Sequence, residues 1–348
     1  MHIRTKLVTA LVCIIVLLGT RGIVHALSPS EAFINAARFG NIEQLEKLIK
    51  SPSFTLDESI GLTALINAVI NGQNEAVAFL FNQGVSINDQ GDFGGTPLMY
   101  AADKGRLSTV QLLVNLGANL NLRSTHFNTA LLTALQHGHT SIAQYLITKG
   151  AIIQVRNHVG QTPLMIAADK GYKDIVHMLI GNNAPVNAST PEGNTALMYA
   201  ADKGHFAIVK LLIRQGAELN TTSSYFGSAL IAAFQRDHLD IVLYLIEQGA
   251  DVHLRDRIGF TALMDASEKG RIDIVTALLE QGADVNQSMN DGMTPLMFAA
   301  KKGHGDIVKL LISHGADIDA QSRYNETALN LAIKYRQKEV IKYLRSVR

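Results

Sequence analysis

Residues 96–117 read TPLMYAADKGRLSTVQLLVNLG. Thr96 is of the type that N-caps a helix, and Pro97 suits a first helical position, where its missing N–H is not needed. Leu98, Ala101 and Ala102 share one side of a short helix that Gly105 ends. A second amphipathic segment follows, with Val110, Leu112, Leu113 and Leu116 facing inward, and Gly117 offers a left-handed C-cap. Each helix is shorter than an isolated helix needs in water. The unit therefore holds only by stacking on another copy of itself.

Copies lie in both directions. A Thr-(Ala/Pro)-Leu triplet, with Ser once, starts at Thr63, Thr96, Thr129, Thr162, Thr195, Ser228, Thr261, Thr294 and Thr327, every 33 residues without an insertion. Gly84, Gly117, Gly150, Gly216, Gly249, Gly282 and Gly315 run alongside, and Asn183 fills the one gap. Asn tolerates the left-handed region, so Asn183 is expected at positive φ. This pattern resembles the ankyrin repeat, whose period and T-P-L-H-x-A core it shares, over about residues 28–348. The resemblance implies an all-α ankyrin-repeat solenoid: helix-turn-helix units joined by β-turn loops. Ser30 to Lys50 lacks the Thr-Pro-Leu start, and Arg345 falls where inner copies are apolar, so both ends read as caps. The domain is expected to span 27–348 in about ten units.

The family's His after Thr-Pro-Leu is mostly replaced by Met: Met99, Met165, Met198, Met264 and Met297. These read as packing between repeats. A longer period overlies the short one. Tyr100, Tyr199 and Phe298 are 99 residues apart, as are Tyr145, Tyr244 and Tyr343. Phe127, Phe226 and Asn325 replace the turn-tip Gly at the same interval. A three-repeat block copied in tandem explains this, either as duplication alone or as a surface that repeats with its partner.

Residues 1–26 are a different text. Arg4 and Lys6 precede an uncharged, mostly apolar run from Leu7 to Leu18, and Val24-His25-Ala26 offers small residues near a cleavage point. This reads as a signal peptide, with a mature N-terminus expected at Leu27. The run is too short to span a bilayer, and Arg21 prevents its extension, so no membrane insertion is expected after cleavage. Cys13 is the chain's one cysteine, so beyond residue 26 there is no thiol for disulfides, catalysis or metal. Removing Arg4, Lys6 and Arg21 from the 31 basic and 30 acidic residues leaves a net charge of −2.

Ankyrin proteins bind partners through the turn tips and the exposed face of the first helix, and the resemblance carries that expectation to matching positions here. The two residues after the Ala-Ala pair, or its equivalent, form columns. Lys104, His137, Lys170, Lys203, Arg236, Lys269 and Lys302 stack as bases beside a partly acidic column. They are either a ladder of exposed ion pairs or a charged track for an acidic partner surface. The acidic column argues against nucleic acid. The tips carry Ile60, Phe93, Phe127, Val159, Tyr225, Phe226, Ile258, Phe260 and Tyr324. Phe127 and Phe226 are the ones expected to tuck inward, while Phe93, Ile258 and Phe260 read as exposed protein-binding groups. Tyr100, Tyr199 and Phe298 are expected as aromatic anchors on the concave side.

His139, His205, His238 and His304 occur one per repeat, without partners at metal-ligand spacing, so no metal is expected. No nucleophile elbow, phosphate loop, dinucleotide fingerprint or HExxH occurs, and no cofactor or catalytic residue is expected. Asn187, Asn220, Asn286 and Asn325 begin Asn-x-Ser/Thr sequons, which matter only in a eukaryotic secretory pathway. The expected protein is a non-catalytic, monomeric protein–protein interaction scaffold, periplasmic or secreted. By resemblance to bacterial ankyrin proteins with signal peptides, it suits an inhibitor, immunity or accessory role for a partner enzyme. A surface-exposed adhesive or host-interacting protein is the alternative.

Overall fold

The computed structural model describes residues 27–348; the expected signal peptide and its cleavage point lie outside the described residues. Among the described residues twenty α-helices pair into ten units. The first helices are Pro29–Phe39, Glu58–Asn71, Pro97–Asp103, Ala130–Gln136, Pro163–Lys170, Ala196–Asp202, Ala229–Gln235, Ala262–Lys269, Pro295–Lys302 and Ala328–Lys334. Each is followed by a second helix of eight or nine residues, such as Leu107–Asn115, Lys173–Gly181 or Ile272–Glu280. Each unit packs on the next, first helix on first helix and second on second. The fold is an all-α solenoid, as the 33-residue spacing predicts.

The starts of the first helices are set locally. In every unit from Thr96 to Thr327 the Thr or Ser hydroxyl accepts the backbone N–H three residues on, at 3.3–3.4 Å. Such a cap satisfies one of the orphan donors of a helix start, worth about 1 kcal/mol. Thr63 departs from the expectation. Asp57 caps that helix instead, accepting from Ile60 at 2.8 Å, and Thr63 lies in the helix interior. Asp57-Glu58 supplies a stronger start one and a half turns earlier, with an acidic residue in the first turn.

The core is a continuous apolar seam. Leu98, Met99, Ala101 and Ala102 are buried from the first helix, and Val110 and Leu113 from the second, and this pattern recurs along the chain. Met165, Met198, Met264 and Met297 are likewise buried between repeats. The Ala pairs let neighbouring first helices approach closely. Asn183 takes φ 64 in place of glycine, as expected from its register. Among the described residues, β pairing is confined to the isolated bridges Ser189–Thr195, Ser223–Gly227 and Arg255–Thr261, which pin the loops entering three first helices.

Candidate protein-binding surface

Two features that hold the repeats in line also shape the exposed face. At the end of several first helices a side chain reaches back to the preceding unit. His139 donates Nε2–H to the Asp103 carbonyl at 3.0 Å, His205 to Asp169 at 3.0 Å, His238 to Asp202 at 3.0 Å and His304 to Glu268 at 2.9 Å. These histidines are staples between repeats, a role that their one-per-repeat spacing did not by itself reveal. Asparagines do the same in the loops. Asn88, Asn121, Asn187, Asn220 and Asn286 each accept, through Oδ1, a backbone N–H from the next repeat at 2.8–2.9 Å. In Asn187 and Asn286 the amide nitrogen also donates, to the carbonyls of Gly216 and Gly315. Two of the sequon asparagines therefore have both side-chain atoms committed to the stack.

The basic column is largely an internal ladder. Lys104 lies 2.8 Å from Asp103, and His137 reaches the same carboxylate from the next unit at 3.3 Å. Lys170 is 3.5 Å from Asp169. Lys203 and Arg236 share Asp202 at 2.8 and 2.9 Å. Lys302 meets Glu268 across units at 3.2 Å. Burial alone would raise the Asp202 carboxyl, but the hydrogen bonds and charges of Lys203 and Arg236 outweigh it and hold the group below its ordinary value. Lys269 is drawn furthest in, contacting Asp237 at 3.2 Å, Asp265 at 3.1 Å and the Phe234 carbonyl at 2.7 Å.

The apolar tips divide into two sets. Phe93, Tyr225 and Tyr324 are the most open, at 77%, 70% and 73% exposure, and Ile258, Phe127 and Val159 are also exposed. These groups lie on the loops before successive first helices, so they follow one edge of the solenoid. The other set is packing. Ile60 lies inside the Glu58–Asn71 helix and is half-buried, because the earlier cap at Asp57 absorbs the expected tip into the helix. Phe298 is buried and Phe260 half-buried, their rings edge-to-face at 5.6 Å, so neither is the open anchor expected of it. Phe226 is buried against Tyr199 at 5.3 Å, as expected, but Phe127 turns out to solvent under the Arg123 guanidinium.

Tyr199 is half-buried by that contact. Tyr100 is half-buried too, and its hydroxyl donates to the Asp92 carbonyl at 3.1 Å. Burial raises the Tyr100 pKa, and the Asp92 and Asp103 carboxylates raise it further. Tyr100 lines an open pocket of about 310 Å³ with Phe93, Met99 and Thr133.

A family model described as ankyrin repeats (3 copies) matches residues 33–124, 119–190, 181–256, 219–289 and 263–347, which is nearly all of the described chain. The chain belongs to the ankyrin-repeat family. Ankyrin repeats make it a protein–protein interaction scaffold, of a kind generally without catalysis. No curated protein matches the chain. Among the described residues no helix is long and apolar enough to cross a membrane.

Proposed function

We propose that this ankyrin protein works outside the cytoplasm, holding one partner protein along its tip edge as an inhibitor, immunity or accessory subunit of a neighbouring enzyme. The observation that carries the reading is the row of open aromatic and aliphatic tips, Phe93, Tyr225, Ile258 and Tyr324, on loops whose backbone is already fixed from repeat to repeat. Rigid loops present large side chains at little entropic cost on binding. The signal-like residues 1–26 and the cysteine-free remainder support the compartment. The ion-pair ladder beside the tips fits an orienting rim rather than the main source of affinity.

The test is capture from the exported fraction of native cells, with mass spectrometry of the retained proteins. A Phe93→Ala/Tyr225→Ala/Tyr324→Ala variant is run beside the parent. The reading expects a defined partner that the parent retains and the triple variant loses, with unchanged melting of the scaffold. A partner held equally by both proteins would move the interface off the tips. An exported chain whose intact mass still includes residues 1–26 would remove the signal-peptide reading.

A further inference from the structure

Two phenylalanines at equivalent places in the 99-residue period behave in opposite ways. In the second block the left-handed residue of the loop is Gly227, at φ 71, and Ser223 pairs with Gly227 as an antiparallel bridge. This turns Phe226 inward to 4% exposure, edge-to-face with Tyr199. In the first block Asn128 stands where Gly227 stands. There the left-handed residue is Phe127 itself, at φ 59, and its ring swings out beneath Arg123, 4.9 Å from the guanidinium carbon.

The space beside Tyr100 that corresponds to the seat of Phe226 beside Tyr199 is therefore left open. The pocket of about 310 Å³ lies at that place, lined by Tyr100, Met99 and Thr133 together with Phe93, Ser124 and His126. In the third block the equivalent ring, Phe298, is already buried, edge-to-face with Phe260 from the loop one repeat earlier. The Tyr100 ring is held by its hydrogen bond to Asp92, so the wall of the slot is rigid. The Asp92 and Asp103 carboxylates at the rim disfavour an acidic occupant.

We propose that the slot beside Tyr100 binds an aromatic side chain of the partner protein, seated edge-to-face on Tyr100 as Phe226 is on Tyr199. The chain's second block is the template for the occupant's chemistry: the same tyrosine, in the same register, already packs a phenylalanine. Aromatic pairs favour this geometry over an aliphatic contact of similar area. The inference rests on the reading of the protein as an interaction scaffold and names the chemistry one part of its surface recognises.

The experiment uses N-acetyl-phenylalanine methylamide and its leucine counterpart, titrated into the protein and followed through the Met99 and Thr133 methyl resonances. The phenylalanine probe is expected to saturate, with ring-current shifts at both methyls, and to bind at least about fivefold tighter than the leucine probe. Phe127→Ala leaves the slot as it is and should bind like the parent. Asn128→Gly allows the loop to adopt the Gly227 form, placing Phe127 in the slot. That variant should lose the probe while melting no lower than the parent. The proposal falls if the parent shows no saturable shift, if leucine binds equally, or if Asn128→Gly binds as the parent does. It also falls if Phe127→Ala binds far tighter than the parent, since Phe127 would then be filling the slot in solution. Because the probes are single residues, failure here leaves partner capture by the tips untouched, and failure of capture leaves the slot measurement intact.

Discussion

Asp265 occupies the position at which other copies place Tyr100, Ile166, Tyr199, Phe298 or Leu331, and it is buried. One oxygen, Oδ2, has no hydrogen-bond partner, although Lys269 lies at ion-pair distance. Burial pushes this carboxyl up to about 6 from an ordinary 3.8; the Lys269 charge opposes the shift, and Asp237 and Glu268 add to it. A raised carboxyl pKa means that the folded state prefers the proton. The native state therefore carries no penalty below about pH 4, loses stability as pH rises from there to about 6, and bears the full penalty at neutral pH. A shift of this size corresponds to roughly 3 kcal/mol at most. Asp265→Asn should raise the urea midpoint at pH 7 and flatten its dependence between pH 4 and 7. An unchanged pH profile would mean that water or Lys269 already neutralises the site. At this scale the sequence was legible where a role is local. The Thr caps and Asn183 follow from residue type and register alone. Phe127 and Phe226 looked alike because the difference between them lies in the backbone freedom of the next residue, Asn128 in one loop and Gly227 in the other.

Between elements, the staple and the helix-terminal glycine act as a pair. A Cβ built on Gly105, Gly171, Gly204 or Gly270 would come within 2.6–2.7 Å of the ring of His139, His205, His238 or His304. The histidine therefore lies in the space that the glycine leaves empty. The unit boundary between Ala229–Gln235 and Ala262–Lys269 breaks the pairing. Asp237 takes the glycine place at φ 58 and Arg271 takes the histidine place. The Arg271 Nε is buried without a partner, while its terminal nitrogen lies 3.7 Å from Asp237. Arg271→His alone should bring no gain, because the Asp237 Cβ excludes the ring. Asp237→Gly removes a left-handed non-glycine residue, worth roughly 1 kcal/mol. The double variant should in addition form the missing bond to the Gln235 carbonyl, worth about 1 kcal/mol more. A double-mutant cycle in urea should thus show favourable coupling, and additive single effects would refute the pairing. Hydrogen exchange should meanwhile find Ile272–Glu280 opening before Phe206–Arg214, since a solenoid separates first at its weakest boundary. The elements themselves were readable from the 33-residue period. The histidine ladder was visible as spacing but not as function, because its acceptors are backbone carbonyls, to which side-chain identity gives no clue.

At the scale of the whole molecule, the solenoid presents two parallel strips, open tips and a charged column, and they predict different behaviour with salt. Sequence spacing located the basic column and the loops that carry the tips but could not tell which tips are open or which charges are paired, because exposure and ion pairing depend on how adjacent units meet. Phe260 and Phe298 are the clearest case: a tip and a concave residue, read as separate, are packed against each other across the unit boundary. The column residues Lys104, Lys170, Lys203, Arg236, Lys269 and Lys302 all lie within ion-pair distance of the chain's own carboxylates. A partner approaching the column thus meets mostly compensated charge, and the net charge beyond residue 26 is only −2. Long-range steering should be weak and the tips should dominate residence time. Between about 50 and 500 mM salt, where screening shortens from beyond 10 Å to well below it, the association rate with the captured partner should change less than about threefold. Tyr225→Ala with Tyr324→Ala should instead act on dissociation, speeding it tenfold or more for a loss of about 1.4 kcal/mol or greater. Lys170→Ala should cost less than about 1 kcal/mol, as a rim charge does. Surface-based kinetics at several salt concentrations decide between the strips. Association that slows tenfold with salt, while the tyrosine variant dissociates like the parent, would transfer the binding role to the column and require the ladder to open when the partner arrives.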